Sequence, residues 1–512
     1  MNRHVRFSGK PGLLFDKFEK VGLRGEKRKI SLYLLVYFLA LSFPAWRNSK
    51  LWSDDWAIYW DTNSSGTEVM NATVSNGRPI LGWLLKGAYS SSFLLNHLVI
   101  LQFISIAGIY LLGIAIYSKM RAARFSKSIS LILVLGVGLL PGFQEYVYFI
   151  SCFAYSWTCL FGFLSYSLFT SHRLSLKFLG IFLLTLSFLI YPAGAMFFFL
   201  AFYIDYLESL DISMSLFRLI RKVQINFYGF LLSILLTLLC ALLTSRILGI
   251  ESAARVHFID TVALTQLKLE WIATRLFVSE FRIFSTVSPT PIQAVLEFCL
   301  IFIPISIALL APLGELNSRK FGQYILIILL PLLGALPNLV ISENQFEYRT
   351  LTATYTMAFL MWLVAARRLL EFVRGLKPHG FAIRLLAKKP IILLALLLIA
   401  VQFHQTQTDS NRLWISPSFV RDAITDRTIE NAKVLPPSTV CLVIPSGAYS
   451  QIPRMGIYSL KSDLASSWVP DPYIRTKLEM KSIDFLGTVA VVKSTNECQE
   501  DSLMFDYSKL AD

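Results

Sequence analysis

Residues 176–203 read LKFLGIFLLTLSFLIYPAGAMFFFLAFY. The stretch is apolar almost throughout and is interrupted once, at Tyr191-Pro192-Ala193-Gly194. Arg173 and Lys177 stand at its start, and Arg218, Arg221 and Lys222 follow it. Basic residues collect on one side of a membrane, so the chain must come back to the side it left. One long helix cannot do that, whereas two short helices turning at Pro192 can. Proline and glycine disfavour an uninterrupted helix here, and they permit a turn that is buried among neighbouring helices.

The composition agrees with a membrane setting. Of the 512 residues, 55% are hydrophobic and 16% charged, whereas a soluble domain carries about 25% charged residues. The mean hydropathy is +0.57. A net charge of +15 would suit nucleic-acid binding if it formed a groove. It falls instead in clusters between apolar runs, so no nucleic-acid partner is expected and the partner is the lipid bilayer.

Apolar runs occur at 30–46, 93–118, 128–142, 153–170, the two halves around Pro192, 226–249, 292–313, 321–341, 350–366 and 390–403. A span needs about 20 residues. The runs predict an all-α polytopic membrane protein of about 11 transmembrane helices, with its N-terminus inside and its C-terminus outside. Inner segments then hold 27 Lys and Arg, against nine in the outer loops before the tail. The basic lead 1–29 reads as a cytoplasmic segment lying on anionic lipid rather than a cleavable signal. The domain layout is this lead, a transmembrane body over 30–405, and a tail over 406–512.

The tail differs in character. Prolines, charges and short β-branched runs at 439–444 and 488–492 predict a small extracytoplasmic α/β or β-rich domain. Cys441 and Cys498 lie there, and would pair if the tail faces an oxidising compartment. Cys152, Cys159, Cys240 and Cys299 sit in or beside apolar runs as packing residues. No Cys/His spacing of a metal site occurs, and no Walker loop, Rossmann fingerprint or serine elbow is present.

No acidic or basic residue stands near the middle of a predicted span. Such residues cost roughly 2.5–3.5 kcal/mol there and mark ion-coupled transport, so chemistry is expected in the outer loops. Asp54 and Asp55 open one, among Trp52, Trp56, Tyr59 and Trp60. A carboxylate near lipid can take a proton from an attacking hydroxyl. The same residues also read as a helix cap followed by an interfacial aromatic helix. Arg78, in Asn76-Gly77-Arg78-Pro79, can fork a phosphate or simply sit at the headgroups. Glu145, in Pro141-Gly142-Phe143-Gln144-Glu145-Tyr146, is a candidate for acceptor hydroxyls or a water-facing helix end. Arg349, after Glu343-Asn344-Gln345-Phe346-Glu347-Tyr348, is a second phosphate candidate or half of an interfacial ion pair. Residues 268–282 read as an amphipathic surface helix with Leu267, Trp271 and Leu276 towards lipid, able to guide a lipid-linked substrate. His97, His257 and His404 are isolated.

This ordered set resembles the GT-C superfamily of polyprenyl-phosphate-sugar glycosyltransferases, and within it the phage-type serotype-converting glucosyltransferases that decorate O-antigen. The likeness rests on Asp54-Asp55-Trp56, Gly77-Arg78-Pro79, Gln144-Glu145-Tyr146-Val147-Tyr148, Tyr191-Pro192 and Arg349, within about residues 30–405. The family often has Gln where Pro192 stands. The resemblance implies a GT-C-like fold in the bacterial inner membrane, with a periplasmic C-terminus. It implies an undecaprenyl-phosphate-linked hexose donor, glucose for preference, and a lipid-linked O-antigen or other surface glycan as acceptor. Asp54 or Asp55 would be the general base, with inversion at the anomeric carbon. Arg78 and Arg349 would hold the donor phosphate, and Trp56, Glu145, Tyr146 and Tyr191 would bind sugar or acceptor. No cofactor is implied, although two adjacent acids can hold a divalent cation. A flippase and a polyprenyl-phosphate sugar synthase would belong to the same pathway. A surface-polysaccharide polymerase and a non-enzymatic lipid-glycan transporter are the competing readings.

Overall fold

The computed structural model describes residues 24–51, 54–64, 66–90, 93–211, 216–251, 262–271, 326–327, 329–340, 348–375, 400, 403, 416–432, 439–443, 470–481, 483, 488–492, 495–499 and 502–507. The described chain is mostly helical. It begins with α1 (Arg24–Leu41), α2 (Phe43–Arg47), α3 (Asp54–Asn63), α4 (Glu68–Ser75) and α5 (Pro79–Tyr89). The bundle follows: α6 (Phe93–Ala122), α7 (Lys127–Leu139), α8 (Pro141–Tyr148), a 3-10 turn (Ile150–Cys152), α9 (Tyr155–Phe169), α10 (Leu174–Ile190), α11 (Pro192–Ala195), α12 (Phe197–Asp211) and α13 (Leu216–Leu248). Then come α14 (Val262–Trp271), a 3-10 segment (Leu330–Ala335), α15 (Leu336–Val340), a 3-10 turn (Tyr348–Thr350) and α16 (Thr352–Gly375). Towards the C-terminus stand α17 (Ser416–Asn431), β1 (Thr439–Val443), α18 (Pro470–Met480), β2 (Thr488–Val492), a 3-10 turn (Thr495–Glu497) and β3 (Leu503–Asp506).

Among the described residues, three helices are long and apolar enough to cross a membrane: His97–Ala122, Ile150–Phe169 and Asn226–Leu248. The pair α7 and α8 is long and apolar enough only when taken together, and it is bent by 52° at its junction, as a broken span or a re-entrant loop is. The third apolar run therefore does not continue straight to residue 142. Pro141 disfavours helical backbone in the residue before it, and Leu140 is extended (φ −62°, ψ 133°). The predicted spans 292–313, the start of 321–341 and nearly all of 390–403 lie outside the described residues, as do residues 1–23, Trp52, Ser53, 272–282 and 343–347.

The turn at Pro192 forms. Tyr191 is extended (φ −154°, ψ 102°) and closes α10, and Pro192 opens α11. Helix α10 climbs antiparallel to α9. Ser187 Oγ donates to the Thr158 carbonyl at 2.9 Å, near the upper end of both. Helix α12 then descends the other side of α9: Phe198 and Phe202 meet the Tyr166 ring edge-on at 5.4 and 6.1 Å. At the bottom Asp205 accepts from the Tyr166 hydroxyl at 3.1 Å and pairs with Lys119 at 2.6 Å. Lys119 belongs to the basic turn that ends α6, so the chain has come back to that end of the bundle. The turn is compact because Gly162 of α9 lies against backbone: a Cβ there would stand 2.6 Å from the Ala195 carbonyl oxygen.

The first polar loop is helical rather than extended. Helix α4 ends with Gly77 at φ +73°. Arg78 N–H donates to the Thr73 carbonyl at 2.8 Å and Gly77 N–H to that of Val74 at 2.9 Å. This is the Schellman closure, which favours glycine at the left-handed position, and Pro79 then starts α5.

The C-terminal strands form one parallel sheet in the order β2-β1-β3. The sequence pattern marks β1 and β2. It misses β3, a short strand whose pairing with β1, Val440 opposite Leu503, is set by tertiary contact. Cys441 and Cys498 form a disulfide.

Gly162→Ala should lower the thermal midpoint of the detergent-purified protein, by the ~1–3 kcal/mol typical of overpacking. An unchanged midpoint would mean that α9 and the 191–195 turn are not in close contact.

Candidate active site at the helix breaks

The site lies at the end of the bundle where the α4–α5 junction, the α7–α8 bend and the Pro192 turn meet. Tyr191 stacks flat on Tyr155, with ring centres 3.8 Å apart and planes 4° from parallel. Tyr146 stands edge-on to both, at 5.6 and 6.3 Å. Its hydroxyl donates to the Arg349 carbonyl at 2.8 Å and shares a hydrogen bond with Thr352 Oγ1 at 3.1 Å. Tyr146 therefore holds the Arg349 turn. On the other side of the stack, the Arg78 guanidinium lies 5.8 Å from the centre of the Tyr191 ring. Its buried Nε has no hydrogen-bond partner among the described residues.

The two aspartates have separate fates. Successive helical residues point about 100° apart. Asp55 is fully buried, 0% exposed. Its carboxylate accepts from the Tyr89 hydroxyl at 2.8 Å, Ser151 N–H at 2.8 Å and Ile150 N–H at 3.3 Å. Burial and the adjacent carboxylate push the Tyr89 phenol well above its ordinary pKa, so it remains a donor. Asp55 thus fastens α3 to α5 and to the 150–152 turn. Asp54, at the first position of α3, is half-buried.

Glu145 is 2% exposed, on α8, which packs against the Arg349 turn. The water-facing alternative for Glu145 is thereby overturned. Arg78 and the Arg349 turn flank an aromatic floor of Tyr146, Tyr155 and Tyr191.

Trp56 points elsewhere. It packs edge-on against Tyr473 of α18 at 4.9 Å, with Arg421 and Lys477 at 5.7 and 5.8 Å from its ring centre. Asp422 sits behind them. It pairs with Lys50 at 2.9 Å, Arg421 at 3.3 Å and Lys477 at 3.5 Å, and accepts from the Tyr473 hydroxyl at 3.1 Å. Burial alone would raise its carboxyl pKa, but the Arg421, Lys477 and Lys50 charges outweigh it and hold the group at about 2.

Arg78, Tyr146, Tyr191 and the Arg349 turn are therefore neighbours, with Glu145 beside Tyr146 on α8, while Asp55 and Trp56 serve as anchors and Asp54 stands half-buried at the start of α3. Tyr155 and Tyr89 escaped the sequence reading, since a tyrosine in an apolar run or a helix end carries no signal of its own. Lys268 begins the segment read as an amphipathic surface helix. It is buried inward on α14, donating to the Asn338 carbonyl at 3.0 Å, while Leu267 faces outward as expected. Among the described residues no group of three or more His, Cys, Asp or Glu is disposed to hold a metal ion.

No protein-family model matches the chain, and no curated protein matches its sequence.

Asp55→Ala strands a buried hydroxyl and two N–H groups, each worth ~1–3 kcal/mol. Thermal unfolding should show a large fall in midpoint, with Asp54→Ala close to the parent. Equal falls would contradict the division between the two. The Asp422 pairings follow pH in a defined sense. Its folded pKa lies below the ordinary 3.8, so its contribution, about 2 kcal/mol, is complete above about pH 4 and is lost as pH falls through 2. Thermal scans at stepped pH should register this loss below pH 4.

Proposed function

We propose that this chain is a GT-C-like membrane glycosyltransferase. It moves a hexose, glucose for preference, from a polyprenyl-phosphate carrier to a lipid-linked O-antigen or other surface glycan. The observation that carries the proposal is the meeting of Arg78, Tyr146 and the Arg349 turn around the Tyr155–Tyr191 stack. In this reading Asp54 is the base. It takes the proton of the acceptor hydroxyl as that oxygen attacks the anomeric carbon. The carbon–oxygen bond to phosphate breaks on the opposite face, giving inversion. Arg78 and Arg349 take up the negative charge of the departing polyprenyl phosphate. The stacked tyrosines offer an aromatic face beneath the sugar ring. Glu145 would bind acceptor hydroxyls.

The proposed topology has about eleven passes, a cytoplasmic N-terminus and a periplasmic C-terminus in the bacterial inner membrane. The charge bias of the loops supports it, and so does the Cys441–Cys498 disulfide, since such bonds persist in oxidising compartments. The site would then face the outer leaflet, where a lipid-linked donor and acceptor can meet.

The test is transfer of labelled hexose from a polyprenyl-phosphate-hexose donor by protein in liposomes, together with surface-glycan composition in cells with and without the gene. Asp54→Asn should lower transfer by ~10²–10⁴-fold, the usual range for a lost general base, without lowering the thermal midpoint. Full activity in Asp54→Asn would sink the proposed role. Chain elongation in place of single-sugar addition would favour a polymerase instead.

A further inference from the structure

We propose that the C-terminal sheet and its helices set the position of Asp54, with Asp422 and Lys50 as positioning residues. This inference rests on the transferase reading above. Helix α18 packs along α3, and the contacts fall on both sides of Asp54. Lys50, four residues before it, pairs with Asp422 at 2.9 Å. Trp56, two residues after it, meets Tyr473 at 4.9 Å. One turn further on, Arg475 lies 6.0 Å from the centre of the Trp60 ring.

Asp422 ties these contacts together. One carboxylate joins Lys50 of the α2–α3 loop, its neighbour Arg421 on α17, and Lys477 and Tyr473 of α18. Arg421 is 1% exposed and lies 4.6 Å from the Tyr473 ring centre and 5.7 Å from that of Trp56. Thr425, one turn along α17, hydrogen-bonds the Tyr473 and Tyr507 hydroxyls at 2.7 and 2.8 Å, which links the junction to the end of β3. The face is thus built from buried, mutually paired groups.

Helix α3 is consequently held from two sides. Asp55 fixes it to α5 and the 150–152 turn, and Lys50, Trp56 and Trp60 fix it to the C-terminal elements. Asp54 stands between these anchors. On the bundle side the ten-residue helix is held by Asp55 near its start and by Asn63 at its end, which donates to the Tyr89 carbonyl at 3.0 Å; the C-terminal contacts restrain it from a second side. Arg78 lies against Tyr191 and the Arg349 turn against Tyr146, both on elements of the bundle. Loosening the junction should therefore displace the base but leave the phosphate-binding cations where they are. A misplacement of about 1 Å can cost on the order of 10²-fold in rate.

Two variants test this in the full-length protein. Asp422→Asn removes the shared carboxylate. Lys50→Gln removes the ion pair across the junction and leaves Arg421 and Lys477 to neutralise Asp422, so it is the milder of the two and keeps the test open if the first variant unfolds. Backbone hydrogen exchange over 54–63 should accelerate in both. Transfer should show kcat falling ~10-fold with an unchanged KM for the polyprenyl-phosphate-hexose donor, and Asp422→Glu should recover part of the loss. Unchanged exchange over 54–63 in both variants would overturn the docking. Faster exchange with unchanged kcat, or a loss confined to KM, would overturn the positioning role. If the unmodified protein transfers no sugar, the transferase reading and the positioning role fall together, whereas the exchange measurement still decides the docking.

Discussion

A helix cannot run through an X-Pro step without losing a hydrogen bond and meeting the proline ring. The bundle end described here depends on that constraint. Arg78, Leu140 and Tyr191 each precede a proline, and none of them is helical. The first step delivers Arg78, the second turns α8 so that Glu145 and Tyr146 face inward, and the third presents Tyr191. Breaks of this kind expose backbone groups that lipid cannot satisfy. Here neighbours and the local turn satisfy them: Tyr191 N–H donates to Ser187 O at 2.8 Å and Gly194 N–H to Tyr191 O at 3.1 Å. Polar and aromatic side chains therefore gather where the helices stop.

Adjacency in sequence proved a poor guide to adjacency in space. Asp54 and Asp55 look like a pair, but helical geometry turns them apart. One enters a nest of three donors and becomes structural. The other stays half-buried at the start of α3. Trp56 follows the same logic, since its place on α3 turns it towards Tyr473 and the cations of α17 and α18. The carboxylate Asp422 does for that junction what Asp55 does for the bundle side, but by ion pairs rather than neutral donors.

Much of the helical plan was legible. Apolar runs located α6, α9 and α13 because spanning helices must be continuously apolar. The hairpin at Pro192 followed from charge placement and proline stereochemistry, and the bonds of Ser187, Tyr166 and Asp205 are those of a returning chain. The bend at Leu140 was missed although Pro141 was in view, because the run stays apolar across it. Strands β1 and β2 announced themselves by β-branched residues. Strand β3 did not, since four residues ending in Asp506 carry no pattern until they pair with β1.

For the candidate site, residue type and loop order picked out Asp54, Asp55, Arg78, Glu145 and Arg349, and the resemblance added Trp56, Tyr146 and Tyr191. These are chemically distinctive groups at the ends of apolar runs, and such positions can be read without coordinates. Which of them meet, which aspartate is spent on structure, and what Trp56 touches were decided by tertiary structure alone. Those outcomes depend on the direction in which each helix end points and on partners such as Tyr89, Tyr155 and Asp422. The partners lie tens to hundreds of residues away, and hydrophobic periodicity carries no information about them.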